Sequence, residues 1–382
     1  MEPRIRAAAI MSAPGKTVGF FSPLPPARTG VADYSAALLP ELRKQGCVAI
    51  APARADVALY HLGNNHLHRE IYRRALAQPG IAVLHDALLQ HFFLGTLSDS
   101  AYVDEFVYNY GEWTRDLARE LWRNRARSAA DPRYFEFPML KRIATVSRAV
   151  IVHNPAAAHT VQQHAPEARI FEIPHLFAPP AMMPDAAETL RLRAGLGLAP
   201  RELLVGVFGH LRESKRLPVV IRAMERAWRE GANGRLLIAG AFASSDLERA
   251  IAPLLTHPKI LRTGYLSERD FWRYASATDL CVNLRYPTAG ETSGIAIRMM
   301  GLGRAVAFTD GEEIARFPAN AGLRISHGAA EEEALAAMIV WLASEREAAG
   351  EIGRRAAAHI AAEHNPAKIA ALYWEVIHGC DS

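Results

Sequence analysis

The sequence predicts an α/β protein in two halves, each a parallel sheet wrapped by helices, facing one another across a cleft. Three observations carry this expectation. Short apolar runs of strand length alternate with longer helical patterns along the whole chain, as in sheets built from βαβ units. The alternation breaks once, in a Pro-rich stretch between Pro174 and Pro200, and then restarts. The chain has 382 residues, more than one ordinary hydrophobic core supports.

In the first half, residues 17–22 form an apolar run that stops at the loop 23–30, and a helix is expected over 31–45. Strands follow near 48–51, at 57–62 and at 81–84, the last ending in His85 and Asp86. Residues 88–145 read as largely helical and rich in Trp and Tyr, and strands at 149–153 and 169–173 close the set. The stretch HLFAPPAMMPDAAE shows little strand pattern and only a short helix near 187–194, which marks it as the linker.

In the second half, strands are expected at 203–208, 235–239, 260–263, 279–284 and 305–309. Helices are expected at 218–230, 246–255 and 268–277, and then at 331–344, 346–363 and 367–378. The domain division is therefore 1–178 and 179–365, with 366–382 as a final amphipathic segment after Asn365–Pro366. Two Rossmann-like halves so joined turn the carboxyl ends of their strands toward one cleft, which is where open α/β sheets bind ligands.

Bulk properties narrow the class. A net charge of +4 with no dense Lys/Arg block excludes a nucleic-acid footprint. Three scattered cysteines, Cys47, Cys281 and Cys380, form neither a disulfide framework nor a zinc site. A reducing, cytoplasmic setting is expected. The N-terminal residues 1–16 are too mild for a signal peptide, and no segment reaches transmembrane length. Peripheral contact with the inner membrane face stays compatible with these features.

Five loops at strand ends hold the unusual residues. In PLPPARTGVADYS, Gly30 precedes a helix, where it lets backbone approach a ligand and frees helix amides; a plain turn capped by Thr29 or Asp33 is the alternative. His61, Asn64, Asn65, His66 and His68 follow a strand and offer donors and acceptors suited to hydroxyl groups. A solvated turn is the alternative there, and a metal site is poorly supported because no carboxylate stands with His66 and His68. His85 and Asp86 fit ligand contact, with a strand-end cap as the alternative.

GHLRESKR brings Gly209, Arg212, Lys215 and Arg216 behind a strand and ahead of a helix, an arrangement suited to diphosphate, with a solvated charged loop as the alternative. The stretch RYPTAGETSGIAIRMMGLG is the most informative of all. Glu291 lies in a polar turn with Thr292, Ser293 and Gly294 directly before an apolar helix, where an acid favoured only by the helix dipole is the structural alternative. Helix amides suit an anion, whereas a carboxylate, which only accepts hydrogen bonds, suits hydroxyls. Phosphate and hydroxyls together indicate a phosphorylated sugar.

Taken together, PLPPARTGVADYS, HLGNN, LHD, VFGHLRESKR and PTAGETSG resemble the family 4 retaining glycosyltransferases of the two-Rossmann-domain GT-B fold, closest to a bacterial branch with a PTxGExSG loop. The resemblance spans nearly the whole chain. It implies that Gly30 lies near the donor phosphate or reacting sugar, that His85 contacts the donor sugar, that Lys215 neutralises the diphosphate, and that Glu291 holds sugar hydroxyls. It also implies that the final helix crosses back to the first domain. Two departures stand out. His210 occupies the place of the family's usual Arg, with Arg212 able to substitute, and Arg298 falls where a second acid grips the nucleotide ribose. Arg cannot accept a hydrogen bond from ribose hydroxyls.

The expected activity is transfer of a hexosyl group, with anomeric retention, from a nucleoside-diphosphate sugar to the hydroxyl of a saccharide or lipid-linked acceptor in bacterial glycan biosynthesis. His85, Lys215 and Glu291 are the expected catalytic residues. Gly30, Gly209, Arg212, Lys215, Thr292, Ser293 and Gly294 are expected at the diphosphate, and Asn64, Asn65, His85, Asp86 and Glu291 at sugar or acceptor. No metal and no further cofactor is expected. A sugar-nucleotide epimerase, a phosphorylase and a non-catalytic sugar-nucleotide-binding protein are the alternatives.

Overall fold

The computed structural model describes residues 16–380. The opening segment 1–15, read above as too mild for a signal peptide, and the last two residues lie outside the described residues.

Twelve strands form two six-stranded sheets. The first contains β1 (Thr17–Phe21), β2 (Cys47–Ile50), β3 (Val57–Leu62), β4 (Ile81–Leu84), β5 (Ala149–Val152) and β6 (Ile170–Glu172), in the order β2-β1-β3-β4-β5-β6. The second contains β7 (Leu203–Phe208), β8 (Gly234–Ala239), β9 (Ile260–Arg262), β10 (Leu280–Asn283), β11 (Ala305–Thr309) and β12 (Leu323–Ile325), in the order β12-β11-β10-β7-β8-β9. Every pairing is parallel. Helices cover both faces of each sheet, so central strands such as β4, β5, β7 and β10 are buried along their whole length. That burial explains why they read as unbroken apolar runs rather than alternating ones.

Both sheets have a point where the chain, having built outward on one side, returns to build on the other. In the first sheet this lies between β1 and β3, and in the second between β7 and β10. A crevice opens at the carboxyl edge of such a point because the two adjoining connections leave in opposite directions. The loops carrying Gly209–Lys215 and Arg285–Glu291 leave β7 and β10, so they flank that crevice.

Three elements are additional to those expected. Helix Pro155–His164 starts with Asn154 accepting from the Ala157 amide at 2.9 Å and with Pro155 in its first turn. Helix Arg69–Ala77 is short and strongly amphipathic. Strand β12 has three residues at a sheet edge, too few for a periodic signal. Conversely, the helix expected over 246–255 is α-helical only through Ser245–Ile251 and ends in a 3-10 turn, Ala252–Thr256, where Pro253 interrupts the amide ladder.

The chain crosses between the domains twice, and the crossings lie side by side. Phe177 N–H donates to the His364 carbonyl at 2.8 Å, and the His364 ring bonds the His175 carbonyl. Past this point helix Pro366–Gly379 packs Ile369, Tyr373, Trp374 and Ile377 into the core of the first sheet beside Val18, Phe20 and Leu38. Trp374 fits against Gly46, where an added Cβ would lie 2.4 Å from the indole, and its Nε1 donates to the Leu42 carbonyl. The last helix therefore belongs to the first domain by packing, although it follows the second in sequence.

Candidate functional site

The second domain contributes three cations to the crevice. Lys215 ends a short 3-10 turn after β7 and is only 9 % exposed. Its ammonium donates to the Phe208 carbonyl at 2.6 Å. Burial, followed by the repulsion of Arg285, pushes its pKa down to about 7. Gly209 makes this possible. With φ at +85°, it turns the chain sharply after β7 in a conformation costly to residues bearing a Cβ. Arg212 is exposed, and among the described residues its guanidinium has no side-chain hydrogen bond or ion pair. Its charge is felt by Lys215, Asp86 and Glu291.

Arg285, at the end of β10, is the third cation and was not singled out in the sequence. It pairs with Glu291 and donates to Ser293 Oγ at 3.1 Å, while its Nε is buried without a partner. The signal was at hand, since Arg285 opens the stretch containing Glu291. Arg216, counted as a third phosphate cation from spacing, turns away instead. It adopts a left-handed conformation and pairs with buried Glu331 at 2.6 Å.

Glu291 is less available than expected. One carboxylate oxygen faces Arg285, and the other accepts from the Ala289 amide at 2.9 Å and weakly from Thr288 Oγ1. Burial raises its pKa, but Arg285, the backbone donors and Arg212 outweigh that effect and hold it below the ordinary value. Thr292 and Ser293 are also engaged. Ser293 caps helix Gly294–Gly301 by accepting from the Ala296 amide, and Thr292 Oγ1 donates to the His153 carbonyl at 3.2 Å. Expected as diphosphate ligands, these two hydroxyls serve as a cap and an interdomain contact. Gly294 opens the same helix, and a Cβ added there would lie 3.6 Å from His175 Nε2.

The first domain closes on this loop. Ala87 N–H donates to the Ala289 carbonyl at 2.8 Å, and Asn154 Nδ2 donates to the Gly290 carbonyl and to Thr292 Oγ1, both at 2.9 Å. Gly290, with φ at +69°, sits so close that an added Cβ would lie 2.7 Å from the Ala87 Cβ. Asp86 is consequently brought opposite Glu291. Asp86 Oδ2 accepts from the Asn64 amide at 2.7 Å, and its other oxygen takes no partner among the described residues. Burial and then the Glu291 charge push its pKa up to about 6.

His85 lies deeper than a simple ligand contact requires. Its Nε2 meets His61 Nδ1 at 3.0 Å, and its ring packs against Tyr34 and His153. Burial, reinforced by the neighbouring histidines, holds its pKa well below the ordinary value, so it is a neutral imidazole. His153 and His175, which complete this cluster around Tyr34, carried no motif in the sequence. The two asparagines are committed locally. Asn64 Oδ1 accepts from the Phe92 amide at 2.8 Å and its Nδ2 bonds His91, while Asn65 Oδ1 caps the turn at Leu67. Asn64, expected at the sugar or acceptor, is thus used on both its amide atoms as a loop anchor, whereas Asn65 keeps its Nδ2 without a partner among the described residues.

Gly30 opens helix Gly30–Arg43 behind its cap Thr29, and outside its own turn of chain no atom lies within 4 Å of where its Cβ would be. Beyond it, Asp33 is raised by burial and by Glu268 of the second domain, with Arg298 opposing. Arg28 lies 5.3 Å from the Tyr265 ring centroid, so the two domains also meet on this side. Arg298 pairs with Glu268 and stacks over Phe271 and Trp272 at 3.8 and 4.5 Å. His210 is exposed, yet partial desolvation of its ring against the loop, then Arg212 and Lys215, lower its pKa. No helix among the described residues is long and apolar enough to cross a membrane.

No family model matches the sequence, and no curated protein does. Solved structures do match. HepE from Anabaena, solved with UDP and glucose, superposes with a TM-score of 0.66 at 13% identity, covering 95% of this chain and 100% of its own. The sucrose-phosphate synthase of Thermosynechococcus elongatus gives 0.65 at 15% identity over 95% and 98% of the two chains. WaaG, a glycosyltransferase of lipopolysaccharide biosynthesis, gives 0.59 at 14% identity over 93% and 99%. The chain thus has the GT-B architecture of these proteins, two Rossmann-like domains meeting over a cleft.

Proposed function

We propose that the protein is a retaining glycosyltransferase that moves a hexosyl group from a nucleoside-diphosphate sugar to a hydroxyl acceptor. One observation carries this reading. Lys215, Arg212 and Arg285 gather at the carboxyl edges of β7 and β10, opposite the carboxylate of Asp86 from the other domain. Departure of a nucleoside diphosphate leaves negative charge on phosphate and positive character on the sugar ring. The sheltered cations Lys215 and Arg285, joined by the exposed Arg212, stabilise the first by several kcal/mol, and the carboxylates of Asp86 and Glu291 accept hydrogen bonds from the sugar hydroxyls. The leaving phosphate takes the proton of the acceptor hydroxyl, so no carboxylate nucleophile is needed. The three cations do the work a divalent metal would otherwise do, and a chelator is expected to leave the rate unchanged. UDP sugars are the first donors to test, given the UDP in the HepE structure.

The ribose end of the donor would meet the Arg298–Glu268 pair rather than an isolated acid. Glu268 Oε1 is taken by Arg298 and Trp272, which leaves Oε2 to accept from a ribose hydroxyl. A thermal-shift panel of UDP, GDP, ADP and dTDP sugars tests the binding, because a bound ligand raises apparent stability. The reading requires a clear shift with at least one nucleotide sugar that disappears in Lys215→Ala. Product anomeric configuration by NMR then tests retention, and product formed without acceptor would favour an epimerase.

A further inference from the structure

A second basic pocket lies at the opposite end of the second sheet. It has a volume of about 700 Å³ and is formed where the linker helix Ala186–Gly195, the amino ends of β10 and β11 and helix Arg346–Glu363 come together. Four charged side chains line it: Arg193, Arg304, Arg346 and Asp279. Asp279 is the shared anion. It faces Arg193 at 3.0 Å and Arg346 at 2.7 Å, and also accepts from the Leu204 amide. Arg304 is left over. Among the described residues its guanidinium has neither ion pair nor hydrogen bond, and its Nε is buried without a partner, as is Nη1 of Arg346.

The charge in the pocket is therefore three guanidinium groups against one carboxylate, an excess of +2. Burial lowers the Arg304 pKa, so solvent does little to compensate the charge. Partly desolvated guanidinium groups with unused donors favour a partner that turns two oxygens toward one fork, which a tetrahedral phosphate does. The rim is apolar. Met183, Pro184, Leu190 and Leu302 line it, and Met182 and Leu190 project into solvent at 88 % and 66 % exposure. A ligand with an anionic head and an apolar or organic body matches both parts.

We propose that this pocket is a binding site for a phosphate-class oxyanion, held by the free fork of Arg304 with Arg346 and Arg193 beside it. It lies about one strand length, roughly 15 Å, from the crevice and shares no residue with it. Arg193 already joins the linker helix to the second domain through Asp279 and the Ala277 and Glu202 carbonyls, and an occupant would reinforce that junction. Two sources supply this chemistry: a soluble phosphorylated molecule and the headgroup of an anionic phospholipid.

Hydrogen exchange on the intact protein separates them. Inorganic pyrophosphate is expected to protect segments 186–195 and 343–350, and Arg304→Gln is expected to weaken that protection by about tenfold or more in apparent affinity. Arg304→Lys, which keeps the charge but loses the fork, should weaken it less. Phosphatidylglycerol vesicles, with phosphatidylcholine vesicles as control, form the second arm. Protection by the anionic vesicles alone assigns the site to a lipid headgroup, and protection by pyrophosphate assigns it to a soluble ligand. Absence of protection in both arms, or protection unchanged in Arg304→Gln, would overturn the proposal.

Discussion

Replacing Lys215 with Met should make the unliganded protein more stable in mild acid while abolishing its affinity for a nucleoside diphosphate. The magnitude follows from the site. Burial and Arg285 hold the ammonium at about 7 instead of its ordinary 10.5, which corresponds to about 5 kcal/mol of destabilisation by the charged form. Because the native pKa is the lower one, this penalty is fully present below pH 7. It fades as pH rises from 7 to 10.5, where only the unfolded chain still binds the proton. Against it stands the bond to the Phe208 carbonyl, whose loss leaves a buried acceptor unsatisfied at about 1–3 kcal/mol. Lys215→Met is therefore expected to gain about 2–4 kcal/mol at pH 6 and to fall below wild type near pH 10, where neutral lysine still donates to Phe208. Urea unfolding of both proteins across this range is the assay. Stabilities that run parallel from pH 6 to 10, or a variant less stable at pH 6, would refute the account of a cation held in reserve for a ligand.

Three further outcomes are expected. Binding of a nucleoside diphosphate at pH 8 should take up a proton as Lys215 regains its charge, which calorimetry in buffers of different ionisation heat reads directly. Asp86→Asn should stabilise the protein by about 2–3 kcal/mol above pH 6, since a carboxylate raised to about 6 costs stability that grows as pH climbs from 3.8; urea melts at pH 4 and 8 check it, and the same variant should raise KM for the donor sugar. Gly290→Ala combines a left-handed backbone with a Cβ 2.7 Å from that of Ala87, so it should cost about 1–3 kcal/mol and speed amide exchange at 86–90 as the interdomain contact loosens.

The sequence by itself determined the architecture. Central strands such as β4, β5 and β7 are unbroken apolar runs because parallel sheets covered on both faces need them, and the Pro-rich stretch marks the linker because such segments cannot enter a ladder. The strand-end position of every unusual loop followed from the same pattern, and so did the cation at 215 and the acid at 291. The tertiary structure alone decided which polar atoms remain free. Asn64, Thr292 and Ser293 have the right chemistry for a ligand, yet their partners are Phe92, Asn154, His153 and Arg285, all distant along the chain or on the far side of a turn. Arg216 stands one residue from Lys215 and points elsewhere because a left-handed backbone sends it to Glu331. Local sequence specifies what a side chain can bond, whereas availability depends on neighbours brought in by packing, which no local pattern encodes.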